Sequence, residues 1–128
     1  MLEVLFQKVR IMKNNNEKHL LLLAYKEFGD PKAPSLKDSF CLEPYENQKD
    51  IIEYLKRGKI TLTATGHGTD AFTGDIVPQG LTLMTDGEYS WSNMLIYYIE
   101  KYNFKPPQEF IDKVMNTFKD LNISGTKL

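Results

Sequence analysis

A single cysteine, Cys41, stands among 128 residues, so neither an internal disulfide nor a cysteine-based zinc site can form. Two histidines are present, His19 and His67, and no ligand pair stands at a spacing such as His-x-x-x-His that would put two donors on one helical face. No apolar run exceeds the six residues of Leu20–Tyr25, far short of a bilayer span, and no membrane partner is expected. Basic residues are not in excess. Sixteen Lys and Arg against 17 Asp and Glu give a net charge of −1, which leaves no surplus to neutralise phosphates and excludes a dedicated nucleic-acid binder. The glycines follow neither a P-loop nor a dinucleotide fingerprint, and no cofactor or metal is expected. Met1–Gln7 lacks a basic n-region and a small-residue cleavage site; with the lone cysteine, this predicts a cytoplasmic protein.

Hydrophobic residues at 41% and charged residues at 26% suit one soluble domain over residues 1–128. Leu2–Gln7 matches the cleavage-side half of a viral 3C protease site carried by expression vectors, although Lys8 follows where such a site has Gly-Pro. Part of residues 1–11 therefore reads as vector-derived with Met12 as the natural start, or else Leu2, Val4 and Phe6 form one face of a strand.

The predicted fold class is α+β, about four helices with a small antiparallel sheet. A first helix, capped by Asn16, would bury Leu20, Leu23, Ala24 and Phe28 and stop at Gly29 and Pro31, with a strand over Leu20–Tyr25 as the rival reading. Asp30–Ser39 reads as an extended surface connection. A second helix runs from an Asn47 cap to Arg57, buries Ile51, Ile52 and Leu55, and ends at Gly58. Ile60, Leu62 and Ala64 alternate with threonines as a half-buried strand. Gly66–Gly80, with four glycines, reads as a long loop. Leu81 and Leu83 then enter a hairpin that turns at Asp86-Gly87 and returns through Glu88–Trp91. Ser90 or Ser92 caps a central helix whose Leu95, Tyr98, Ile99 and Tyr102 fall at i, i+3, i+4 and i+7. Pro107 opens a last helix burying Phe110, Ile111, Val114, Met115 and Phe118, and residues 122–128 form a polar tail that frays.

Charge is unevenly placed. Residues 1–59 carry a net +2, residues 101–128 another +2, and residues 60–100 hold no Lys or Arg but five acids: Asp70, Asp75, Asp86, Glu88 and Glu100. Such a segment would attract a basic partner, unless lysines from elsewhere fold over it.

Only Gly66-His67-Gly68-Thr69-Asp70 suggests catalysis, with His67 as a general base and Asp70 as its orienting carboxylate. The alternative is a polar surface loop. Cys41, between Phe40 and Leu42, reads as a small buried hydrophobe rather than a nucleophile with a distant His67. Six aromatics lie within residues 89–104. Most belong to the core, while Tyr97, off the main helical stripe, is the candidate interface anchor.

Several motifs, in order, resemble a family of small uncharacterised bacterial cytosolic proteins. They are Gly29-Asp30-Pro31 with Pro34-Ser35-Leu36, Tyr54-Leu55-x-x-Gly58, Thr85-Asp86-Gly87-x-Tyr89-x-Trp91, Leu95-x-Tyr97-Tyr98, and Pro107-x-Glu109-Phe110. The family usually has Trp-Pro where this chain has Trp91-Ser92. Its members resemble the immunity proteins of bacterial toxin systems, including contact-dependent growth inhibition. The resemblance implies a non-catalytic protein, a monomer or weak homo-oligomer, that binds a cognate, basic toxin domain. Asp70, Asp75, Asp86 and Glu88 would steer that partner and Tyr97 would anchor it. The competing reading is a small enzyme using His67 and Asp70.

Overall fold

A computed structural model of the chain describes residues 21, 25–29, 31–77 and 80–123, with side chains up to residue 120. Its architecture is α+β. Helix α1 is Gln48–Lys56, and strand β1 is Lys59–Ala64. The two-residue strands β2 (Gly68–Thr69) and β3 (Ile76–Val77) follow, then β4 (Leu81–Thr85) and β5 (Ser90–Ser92). Helix α2 (Asn93–Tyr102) and helix α3 (Gln108–Ile123) complete the order. All pairing is antiparallel: one sheet has the order β1-β4-β5 and the other is the β2-β3 ribbon.

Three α-helices are found among the described residues, where about four were expected. Most of the first expected helix lies outside the described residues, and its C-terminal end, residues 25–29, forms a turn. The reason is local. The Lys26 N–H donates to the Pro34 carbonyl, and Glu27 accepts from the Ser35 hydroxyl and the Leu36 N–H. These bonds fold the segment back onto Leu36–Ser39, a single 3-10 turn that buries Leu36 where an extended surface connection was expected.

In α1, Ile51 and Leu55 are fully buried. Asn47 does not cap it through its side chain; it sits at φ 71°, and Gln48 Oε1 folds back to accept the Tyr45 N–H. Gly58 is needed after the helix for space. A Cβ there would lie 2.5 Å from Trp91 Cζ2. Trp91, fully buried, donates its indole N–H to the Leu55 carbonyl at the end of α1, which also accepts the Gly58 N–H.

Strand β1 departs from strict alternation. The register shifts between Ile60 and Leu62, so Ile60 pairs with Met84 while Leu62 pairs with Leu83. Adjacent residues on β4 point to opposite faces, so Ile60 and Leu62 do too, and Ile60 is 60% exposed.

The β4–β5 hairpin turns through Asp86–Tyr89, two residues longer than the Asp86-Gly87 turn read from sequence. Asp86 Oδ1 accepts the N–H groups of Glu88 and Tyr89, while the Asp86 N–H donates to the Tyr89 carbonyl. Ser92 caps α2 by accepting the Met94 N–H. Leu95, Tyr98 and Ile99 are buried without remainder, as the i, i+3, i+4 spacing requires. In α3 the buried face is Phe110, Ile111, Val114 and Phe118, with Met115 at its edge. Pro107 stands one position before the helix rather than inside it. Helix α2 packs on β4 and β5, and α1 packs on both other helices, giving one continuous core.

Candidate functional site

The stretch Gly66–Gly80 is not an open loop. Its ends pair as the β2–β3 ribbon, and Gly68 lets Met94 pack against the ribbon, since a Cβ there would meet Met94 Sδ at 2.5 Å. Between the two strands the chain turns at Asp70. Asp70 Oδ1 accepts the N–H groups of Phe72 and Thr73, at 2.7 and 3.1 Å. Its other oxygen, Oδ2, accepts the hydroxyls of Tyr97 at 2.7 Å and Tyr102 at 2.6 Å. Lys101 stands 3.6 Å from the same oxygen and an equal distance from Asp75. The Asp70 side chain has no exposed surface. Burial alone would raise its carboxyl, but the bonds from Tyr102, Tyr97 and the two backbone N–H groups outweigh that and hold it at about 2. Burial and the bonded carboxylate together push the Tyr102 phenol up to about 12.

A second cluster has the same construction. Asp86 Oδ2 accepts the Tyr54 hydroxyl at 2.6 Å and the Lys113 ammonium at 2.8 Å, and Lys113 also reaches Glu88 at 2.9 Å. Burial opposes ionisation of Asp86, yet the bonds from Lys113, Tyr54 and the backbone lower its carboxyl below the usual value. In each cluster an aspartate, buried in the case of Asp70 and partly buried in that of Asp86, anchors a tyrosine and a lysine, and the lysine reaches a second, exposed acid: Asp75 at 67% and Glu88 at 58% side-chain exposure.

The acidic segment therefore meets its counter-charges from outside itself. Lys101 holds Asp70 and Asp75, Lys113 holds Asp86 and Glu88, and Lys56 lies 3.5 Å from Glu100. The alternative that lysines from elsewhere fold over the segment is what the structure shows; which lysines was not legible, because they arrive from the end of α2, the middle of α3 and the end of α1. One signal was legible: Tyr97 and Lys101 stand at i and i+4 on α2, and the ammonium lies 3.2 Å from the phenol oxygen. Of the five candidate partner-binding residues, Asp70, Asp75 and Tyr97 meet at one cluster, and Asp86 with Glu88 at the other. Tyr97 is half-buried with its hydroxyl fixed at Asp70, so its ring is held rigidly at the surface.

His67 and Asp70 are not joined. The exposed His67 ring has its Nδ1 3.3 Å from the Gly68 carbonyl, while both Asp70 oxygens are taken by other donors. Cys41 is half-buried where residues 39–41 cross residues 103–105, its N–H donating to the Asn103 carbonyl. No bond among the described residues links it to His67. Nor, among them, does any group of three or more His, Cys, Asp and Glu offer a metal site, and no helix is long and apolar enough to cross a membrane.

Beside the Asp70 cluster lies a cleft of about 290 Å³ between the ribbon and α2, lined by Lys56, Val77, Asn93, Ile96, Tyr97 and Glu100. Comparison with family models, with curated proteins and with solved structures finds no match to this chain.

Proposed function

We propose that the chain is a non-catalytic immunity protein of a bacterial toxin system, acting in the cytoplasm by binding a basic toxin domain through its loop-and-hairpin side. The observation that carries this reading is the paired construction of the two acid clusters. Asp70 and Asp86, beneath the surface, fix Lys101 and Lys113, and these fix Asp75 and Glu88 at the surface. Each cluster sets two carboxylates against one ammonium, so one negative charge at each is left for a basic partner. Tyr97, its hydroxyl tied down, supplies an aromatic contact at low entropic cost. The motif order of the sequence resembles that of the family of small bacterial proteins whose members resemble immunity proteins. The His67–Asp70 enzyme gains no such support, because Asp70 is occupied by tyrosines, Lys101 and backbone.

The test is the association rate with the toxin domain whose growth inhibition this chain relieves. Reversal of the two exposed acids, Asp75→Lys and Glu88→Lys together, slows association about tenfold at low salt, and the difference shrinks as salt rises. Equal rates for both forms at low salt contradict an acidic docking surface.

A further inference from the structure

Strand β1 is an edge of its sheet, because the order β1-β4-β5 gives it a single neighbour. One hydrogen bond fixes which of its backbone groups face outward. The Thr82 N–H donates to Asn93 Oδ1. Asn93 follows Ser92, the β5 partner of Leu83, so that N–H points to the β5 side of β4. A residue in an antiparallel sheet sends its N–H and C=O to the same side, so Thr82 offers neither to its β1 partner, Thr63. The Thr63 N–H and C=O therefore point away from β4. Leu83, the next residue, agrees: its carbonyl faces β1 and accepts the Thr61 hydroxyl. Among the described residues no group bonds Thr63 from the outer side, and Thr63 and Thr65 are exposed. The other edge, β5, is three residues long and carries the fully buried Trp91 and Ser92.

Sheet edges are blunted by charge, proline or a bulge. Strand β1 has its bulge between Ile60 and Leu62 and its one charge at Lys59, both in its first half. The stretch that follows, Leu62-Thr63-Ala64-Thr65-Gly66, has neither charge nor proline. We propose that this stretch pairs with the same stretch of a second copy, antiparallel about a two-fold axis at Thr63, and joins two three-stranded sheets into one of six strands. The edge is complementary to itself. At the axis each Thr63 gives its N–H to the other's carbonyl, the bonded pair of an antiparallel ladder. Two residues away Thr65 faces Thr61, a favourable cross-strand pair. The two Lys59 stand at opposite ends, where they do not repel. The neutrality of residues 60–66 selects a copy over a basic partner, which gains nothing from a stretch without acids. The contact is short, so the dimer is weak and forms at high protein concentration. It does not rest on the immunity reading.

The test is sedimentation equilibrium of the full chain from about 10 μM to about 1 mM. The mass rises from that of one chain towards that of two. Thr63→Ala, which keeps the N–H, dimerises as the unaltered chain does. Thr63→Pro removes the outward N–H without breaking a bond to β4 and weakens association about tenfold or more. Unchanged Trp91 emission and circular dichroism show that both variants fold. Should Thr63→Pro not fold, amide exchange in the unaltered chain decides: the Thr63 amide exchanges more slowly as concentration rises, while the Gly87 amide on the hairpin does not. The mass of one chain throughout, equal weakening by Ala and Pro, or Thr63 exchange independent of concentration each overturns the proposal.

Discussion

Lys113, in the middle of α3, lies 2.8 Å from Asp86 at the turn of the β4–β5 hairpin, and this contact joins two elements 27 residues apart in sequence. Both side chains are largely withdrawn from water, while Glu88, on the other arm of Lys113, is exposed. Asp86 also organises its own turn through the N–H groups of Glu88 and Tyr89.

The three substitutions therefore rank. Asp86→Ala removes the turn bonds, the Tyr54 bond and the lysine contact, costing about 2–3 kcal/mol. Lys113→Met leaves the turn intact and costs about 1–2 kcal/mol. Glu88→Ala removes an exposed ion pair and costs less than about 0.5 kcal/mol. Urea unfolding measures all three, and a Glu88→Ala loss equal to that of Asp86→Ala contradicts the ranking.

Asp70 makes stability acid-sensitive. Its folded carboxyl is held at about 2, below the ordinary aspartate value. The contribution is thus complete above about pH 4 and is lost as pH falls towards 2, where the folded-state carboxyl protonates. Tyr102→Phe removes one of the bonds that favour the charged form, so the folded-state carboxyl protonates at higher pH and the acid loss, which starts at the unfolded aspartate's value in both proteins, is smaller and levels off sooner. Unfolding midpoints recorded from pH 2 to 7 show this as a shorter limb; an unchanged limb contradicts the assignment.

Gly58 and Gly74 test different causes. Gly58→Ala drives a Cβ to within 2.5 Å of Trp91 and costs about 1–3 kcal/mol through overpacking. Gly74, at φ +80° with nothing within 4 Å of a Cβ, costs only the strain of its backbone, about 1 kcal/mol. Fluorescence separates them, because Trp91 is the only tryptophan: Gly58→Ala changes the native emission and Gly74→Ala does not.

Periodicity made the three described helices, the hairpin and most of the core legible, since each depends on neighbours three to seven residues away. What periodicity could not show came from distant residues or short elements. The ribbon pairs Gly68-Thr69 with Ile76-Val77, too few residues for alternation to appear. Ile60 left its expected face because a register shift follows it. The five acids of residues 60–100 were visible as a cluster of charge. Their lysines were not, because Lys56, Lys101 and Lys113 reach them through tertiary packing. Asp70 and Asp86 resembled one another only as residues in glycine-containing loops; their common role as anchors needed the tyrosine hydroxyls of α2 and α1.

The most direct test is growth of bacterial cells expressing this chain against a toxin-producing strain, with the inhibiting toxin domain then purified alongside it. For a neutraliser that acts by binding, expression restores growth and the two proteins form a stoichiometric complex. His67→Ala should restore growth equally, and Asp75→Lys with Glu88→Lys should restore it less. Growth restored only when His67 is intact, with no complex formed, would contradict a neutraliser that acts by binding.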